Sequence, residues 1–203
     1  MTSLLPEDRP DLDEVAIAFQ NAFVQDLVSA GRVDRDLLAT DEERRLAAVQ
    51  RYDILDTPPD DAFDRVTALA CRLLDVPVAL LSIVDGDREW FKSRRGLDIA
   101  EVDRDAALCA STVATGRPLR VEDVQVVPGF VDNPMVREHP ELHGFASVPL
   151  TTSDGHAIGT LCVFDERRRG FTDAELEDLA MLAAVAMREL DLRLASRRAL
   201  FRG

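Results

Sequence analysis

The chain has 203 residues, of which 46% are hydrophobic and 31% are charged, and its formal net charge is −14. This length suffices for a full hydrophobic core and favours one domain with an extension over two domains. Because nucleic-acid binding depends on Lys and Arg displacing phosphate counterions, the acidic charge disfavours nucleic acid as a partner, and it also disfavours anionic membranes. No apolar run approaches the ~20 residues of a membrane helix, and the N-terminus does not resemble a signal peptide, so we expect a cytoplasmic protein.

The N-terminal part is predicted to be helical. Apolar residues at spacings of three and four indicate an amphipathic helix over residues 11–30, within an N-terminal helical extension of residues 1–40. We assign residues 41–192 to one α+β domain and residues 193–203 to the basic end of its last helix.

Two further helices are expected before the first strand. One begins at Thr40, where Glu43 completes a capping box, and runs to about Tyr52. The next is expected to open at Thr57, with Pro58 at its first helical position. The first 75 residues are therefore predicted to be mostly helical.

Local sequence patterns predict two hydrophobic hairpins. Residues 78–84 form a continuous apolar run of strand length, and turn residues at 85–87 precede a second strand over 88–93. Residues 145–150 and 157–164 form the second predicted hairpin, joined by a turn that contains Gly.

The segment between the hairpins is less regular. It begins with a predicted Ala-rich helix over residues 106–114, ended by Gly116, and a short strand over residues 119–122. Residues 128–140 contain several prolines and are predicted to form a long irregular loop, and such loops in compact domains are commonly functional.

A long final helix is predicted after Thr172, with Glu175 as its capping-box partner. Its apolar stripe extends through roughly six turns, longer than one small domain covers, which favours a homodimer through the terminal helices. The predicted fold is α+β, with a five- or six-stranded antiparallel sheet, the N- and C-terminal helices on one face, and a short helix plus a long loop over the other.

Short motifs recur in order along roughly residues 43–190. They are residues 52–59, Val84-Asp85, residues 90–93, Gly96-Leu97, Cys109, Pro118-Leu119, Asn133-Pro134, Pro149-Leu150 and residues 159–163. This order is similar to that of the GAF family of small-molecule sensor domains, in its bacterial branch usually attached to kinases or cyclases. The resemblance implies a non-catalytic regulatory module whose pocket lies between the sheet and the segment after the third strand.

The chain departs from the family pattern at ligand positions. Residues 143–147 are His-Gly-Phe-Ala-Ser where relatives tend to carry Arg-Phe-Tyr-Ala-Gly. Ala110 follows Cys109, whereas members that carry bilin typically have Cys-His, and the Asn-Lys-x-Phe-Asp series of cyclic-nucleotide binders is missing. The sequence therefore identifies no cofactor.

Candidate ligand-binding residues come from the hairpins, the short helix and the loop. They are Trp90, Phe91, Lys92, Cys109, Val113, Asp123, Phe130, Asn133, Phe145, Ser147 and Cys162. Strand alternation places the adjacent rings of Trp90 and Phe91 on opposite faces, and plain packing is the alternative to ligand contact. The loop residues suit a pocket lid, although a loop that only seals the core would look the same.

Lys92 and Arg94 are predicted on one side of their strand, where they can hold a carboxylate or phosphate of a ligand or a partner. The alternative is an edge strand that charge protects from aggregation.

The three cysteines include no Cys-x-x-Cys pair and are expected to be reduced. Cys109 can ligate a metal or sense oxidants, or can simply be a small buried apolar residue. A zinc site at the histidines is not expected, because Pro140 breaks the helical register.

The leading hypothesis is a sensory or regulatory module, not an enzyme, that binds a small molecule or a redox signal. It would transmit that signal through dimer helices to a separate signalling protein. One alternative is a ligand-free dimerisation or scaffold module in which Phe145 and Phe164 fill the cavity. The other is a free methionine sulfoxide reductase, with Cys109 and Cys162 as its thiol pair.

Overall fold

The computed structural model describes residues 35–104, 108–128, 130–131 and 133–200. The predicted helix over residues 11–30 lies outside this part of the chain. The elements in order are α1 (Arg35–Tyr52), α2 (Asp61–Leu74), β1 (Val78–Val84), β2 (Arg88–Arg95), β3 (Glu101–Asp103), α3 (Ala110–Thr115), β4 (Leu119–Val121), α4 (Pro134–Glu138), β5 (Gly144–Thr151), β6 (Ala157–Asp165) and α5 (Asp173–Leu200).

The strands form one six-stranded antiparallel sheet in the order β3-β2-β1-β6-β5-β4. The predicted α+β architecture is therefore confirmed. β1 and β6 occupy the centre and are buried along their whole length. Burial on both faces explains why these strands are mostly apolar rather than alternating between apolar and polar residues.

The sheet separates two apolar clusters. On what we call the helix face, sheet residues such as Leu81 and Leu161 pack with α1, α2 and α5. On the opposite side, which we call the cavity face, residues such as Leu80, Phe145 and Phe164 pack with the segment around α3, with α4 and with the connecting loops. This is the predicted distribution of helices and loop.

Two helix starts differ from the sequence prediction. α1 is already helical at Arg35, ahead of the predicted start at Thr40. α2 begins at Asp61, and the Asp60 side chain caps it by accepting a hydrogen bond from the Ala62 amide at 2.9 Å. The prediction that this helix opens at Thr57 was wrong because a residue that precedes proline avoids helical geometry, and two prolines follow Thr57 in succession.

The other differences concern short elements. α3 begins at Ala110, later than predicted, and ends as expected at Gly116, which has a positive φ of 63°. β3 and α4 were missed because three and five residues are too few to show a hydrophobic period. The predicted capping box of α5 is confirmed, with the Thr172 amide donating to Glu175 at 2.8 Å.

Candidate functional site

A β-bulge in β2 decides which side chains reach each face. Leu81 lies opposite Ser93 and Ser82 opposite Phe91, so Lys92 is an extra residue in the ladder. Its Nζ reaches the helix layer, where it donates to the Thr57 hydroxyl at 2.8 Å.

The bulge changes the predicted alternation beyond Phe91. Arg94 lies opposite Leu80, a residue of the cavity face, whereas Lys92 lies on the helix face. Strand alternation therefore does not put Lys92 and Arg94 on one face of the sheet, although both line one hollow at the open edge of β2. Trp90 and Phe91 do lie on opposite faces, as expected, with Trp90 in the helix-face cluster and Phe91 in the cavity-face cluster.

Aromatic rings pack closely on the cavity face. The rings of Phe145 and Phe164 have centroids 4.8 Å apart, and Phe130 meets Phe145 edge-on with centroids 6.5 Å apart. Phe145 is 0% and Cys162 is 1% exposed. A water-sized void beside a side chain would make part of that side chain accessible to solvent. The space next to Phe145 and Cys162 is therefore filled by protein.

Five polar side chains lie within this apolar face, and we call them the polar cluster. They are Ser82, Glu89, Thr112, Ser147 and Thr160, all of them buried. The Ser82 and Thr160 hydroxyls are 3.0 Å apart, and the Thr112 and Ser147 hydroxyls share a hydrogen bond between α3 and β5. Of these residues the sequence identified only Ser147. The available signal was the presence of polar residues in strands that are otherwise apolar.

Glu89 is the unusual member of the polar cluster. It is 2% exposed, and its Oε1 has no hydrogen-bond partner among the described residues. Burial raises the pKa of Glu89, while hydrogen bonds with Ser82 and Cys109 oppose that shift. The neutral acid is therefore favoured, because within the described part of the chain no cation compensates the charged form. A buried polar atom without a partner requires an explanation, and a missing ligand is one.

The two thiols of this face lie together. The hydrogen bond with Cys162 and burial raise the pKa of Cys109 well above its usual range, and the nearby Glu89 adds to the effect. Both cysteines are free and buried. Reactive cysteines have the opposite property, a lowered pKa that supplies thiolate.

The remaining predicted site residues hold the covering segments in place. Asp123 accepts a hydrogen bond from the His143 ring at 2.9 Å and lies 2.9 Å from the Arg168 guanidinium. Asn133 caps α4 by accepting from the Met135 amide at 2.9 Å.

Val113 of α3 packs with Val84 and Ala157 in a separate small cluster. The described residues contain no group of three side chains arranged to hold a metal ion.

A second polar network joins β2 to the helices through residues 53–60, which we call the linker segment. Arg88 of β2 pairs with Asp56 at 2.6 Å. Lys92 of β2 donates to the Thr57 hydroxyl and, at 2.6 Å, to the Pro58 carbonyl. Residues 56–58 of the linker segment are thus attached to the strand that carries Glu89.

The ends of the linker segment are attached to α5. Asp60 pairs with Arg193 at 2.6 Å, and this hydrogen bond lowers the pKa of Asp60 to about 2. The hydroxyl of Tyr52, which precedes the segment, donates to Asp191 at 2.7 Å. The network therefore connects the sheet to the last helix by charge-assisted hydrogen bonds.

Comparisons with known proteins agree with this architecture. The GAF domain family model matches residues 58–190. A cyclic di-GMP phosphodiesterase of Pseudomonas aeruginosa, PA2567, is 36% identical over 142 residues, which is 70% of this chain and 24% of the relative. The chain thus spans about a quarter of that protein.

Solved structures share the fold. The GAF domain of an Acinetobacter phosphoenolpyruvate-protein phosphotransferase has a TM-score of 0.54 at 17% identity, covering 79% of this chain and 98% of its own. A free methionine-R-sulfoxide reductase from Neisseria meningitidis has a TM-score of 0.53 at 22% identity, covering 74% and 87%.

Proposed function

Because the chain belongs to the GAF domain family, a family of sensory and regulatory modules, we propose that it is a cytoplasmic sensor that binds a small molecule on the cavity face. The ligand carries a hydrogen-bond donor, such as an amine or an amide. It reaches Glu89 and the hydroxyls of the polar cluster. No catalytic role is proposed.

The unpartnered carboxyl oxygen of Glu89 carries this proposal. A buried oxygen without a partner costs roughly 1–3 kcal/mol, and an N–H donor from a ligand removes that cost. Ser82 and Thr160 lie beside it as neutral donors and acceptors, which orient a polar molecule without requiring a charge.

Ligand entry requires α3 to move, because the polar cluster is buried. α3 has six residues and is attached to the sheet through the hydrogen bond between Thr112 and Ser147. Its Val113 packs in a small apolar cluster with Val84 and Ala157. A short element with few attachments opens at low free-energy cost, which suits a lid.

The linker segment is the proposed route to α5. Glu89 and Lys92 lie three residues apart on β2, and Lys92 holds Thr57. Asp60 at the other end of the segment pairs with Arg193 of α5. A ligand can change the position of α5 only if it binds one arrangement of β2, the linker segment and α5 more tightly than another.

α5 also provides the proposed dimer surface. Met181, Val185 and Leu192 on α5 are 61%, 55% and 64% exposed, and Leu69 and Leu73 on α2 are 50% and 56% exposed. Residues spaced in this way form an apolar stripe. Its exposure to water is unfavourable, and a second copy of the chain can cover it.

We propose that the dimer passes the signal to a separate signalling protein. Since a matched relative is a cyclic di-GMP phosphodiesterase, an enzyme of cyclic di-GMP turnover is one such partner.

Thermal unfolding with a panel of small amines and amides tests the ligand site. We expect a higher midpoint for the wild-type protein with at least one amine, and no change for Glu89→Leu, which replaces the acceptor with an apolar side chain. Sodium acetate and sodium chloride serve as controls. An equal response of both proteins would overturn the assignment to Glu89.

Sedimentation velocity tests the dimer. Val185→Asp is expected to convert a dimer to a monomer, because a charge would be buried in an apolar contact. Arg44→Asp, at an exposed site on α1, is the matched control and should leave the mass unchanged. A monomeric wild-type protein would contradict the proposal.

One observation favours a ligand-free dimerisation module instead. Phe145 and Phe164 fill their side of the cavity face. This alternative predicts a dimer whose midpoint responds to no compound in the panel.

A free methionine sulfoxide reductase is a weaker alternative. Contact between Cys109 and Cys162 supports it, but the raised pKa of Cys109 opposes thiolate attack. Reduction of methionine sulfoxide by the wild-type protein but not by Cys109→Ser would establish it.

A further inference from the structure

A hollow of about 490 Å³ opens on the helix side of the sheet, away from the polar cluster. It lies between α2, the linker segment and the second half of β2. β3 pairs with residues 88–90 only, so beyond Phe91 the outer side of β2 has no strand partner among the described residues. The hollow therefore sits at an open corner of the sheet.

Lys92 lines this hollow, and its charge is incompletely compensated. It is the single lysine of the chain and is 5% exposed. Its two hydrogen-bond acceptors, the Thr57 hydroxyl and the Pro58 carbonyl, are both neutral. An ammonium group has three N–H donors, so one remains for another acceptor. Burial lowers the pKa of Lys92, in keeping with a cation that lacks a direct carboxylate partner.

The surrounding charges are mainly positive. Arg94 and Arg95 line the hollow with Lys92. Arg94 is 4.0 Å from the fully exposed carboxylate of Asp98, and no ion pair of Arg95 occurs among the described residues. Asp64 is the acidic residue of the lining, and its carboxylate accepts a hydrogen bond from Ser93 at 2.6 Å. The lining thus contains three cations and one carboxylate, and Asp60 and Arg193 also act electrostatically on Lys92, in a protein whose net charge is −14.

We infer that this hollow binds a small anion carrying a phosphate or carboxylate group, with Lys92 at its floor and Arg95 at its rim. An ammonium and a guanidinium on two sides of an anion form charge-assisted hydrogen bonds, the strong class. The anion would lie beside Thr57 and Pro59, and so next to the linker segment. This inference is independent of the proposed ligand at Glu89.

Thermal unfolding with inorganic phosphate tests the inference, with succinate as the carboxylate probe and sodium chloride at equal ionic strength as the control. We expect phosphate or succinate to raise the midpoint more than chloride. Arg95→Gln, at an exposed position, should weaken binding about tenfold, and Lys92→Met should abolish it. Arg117→Gln, an exposed site elsewhere, should bind as the wild type does.

Amide NMR chemical shifts locate the site and keep the test valid if Lys92→Met fails to fold. Phosphate should move the amide signals of Thr57 and Ser93 in the wild type, and much less in Arg95→Gln. A wild-type midpoint that responds equally to phosphate, succinate and chloride would overturn the inference. Unchanged phosphate binding by Arg95→Gln would overturn it as well.

Discussion

The two faces of the sheet treat buried polar groups differently. On the helix face, Ser93 donates to Asp64 at 2.6 Å and lies 2.9 Å from the Thr67 hydroxyl. On the cavity face, Glu89 keeps an oxygen without a described partner. A satisfied network rigidifies a core, whereas an incomplete one costs stability. The comparison indicates that the Ser93 network stabilises the helix face, whereas the unpartnered oxygen of Glu89 costs stability on the cavity face, where we propose that a ligand binds.

Matched truncation of one phenylalanine on each face should have the largest effect. Phe63→Ala and Phe145→Ala each remove a fully buried ring and should cost about 3–5 kcal/mol. We expect the cost of Phe63→Ala to lie at the upper end of this range, because two cations also lie over its ring. The Lys92 Nζ and the Arg193 Cζ are 5.6 and 4.9 Å from the ring centroid. Phe145→Ala should cost less, since the short covering elements can collapse into the space. Urea unfolding measures both, and the reverse order would contradict the comparison.

Glu89→Gln should stabilise the protein at neutral pH, by about 1–3 kcal/mol. The pKa of Glu89 is raised above its ordinary 4.5 in the folded state, so the folded state holds the proton more tightly than the unfolded state does. Its stability is highest below that ordinary pKa and decreases as the pH rises above it.

Urea unfolding as a function of pH checks this prediction. The stability gain of Glu89→Gln should shrink as the pH falls towards the ordinary pKa of glutamate, 4.5, and should level off below it. Glu138→Gln, at an exposed site, should change stability by less than about 0.5 kcal/mol. A Glu89→Gln variant less stable than the wild type at neutral pH would show that the carboxyl group is satisfied.

Asp60→Asn should have the smallest effect, a loss of about 1 kcal/mol. Asn still caps a helix well, so the change isolates the ion pair with Arg193. The pKa of Asp60 is lowered from 3.8 to about 2, chiefly by the hydrogen bond from Arg193. The contribution of the Asp60 carboxylate to folding stability is therefore present above its ordinary pKa of 3.8 and is lost as the pH falls towards 2.

Acid unfolding monitored by circular dichroism checks this contribution. Asp60→Asn should lose less stability than the wild type between pH 3.8 and about 2. Asp61→Asn, whose carboxylate is 4.0 Å from Arg65 and exposed to water, is the control and should match the wild type. A similar loss of stability on acidification in both variants would show that the ion pair between Asp60 and Arg193 does not stabilise the protein measurably.

The sequence predicted the features that depend on local patterns. The hairpin strands, the capping box of α5 and the opposite placement of Trp90 and Phe91 come from periodicity and turn residues. The bulge at Lys92 depends on how β2 aligns with β1, which no single strand encodes. Glu89 was missed for a similar reason, since its burial depends on which segments cover the strand.

Native mass spectrometry of the freshly purified protein tests the central claim most directly. If the cavity face binds a small molecule through Glu89, the wild-type protein should carry an added mass that Glu89→Leu lacks under the same conditions. The absence of an added mass from both proteins, together with no response to the amine panel, would contradict the account and favour the ligand-free dimerisation module.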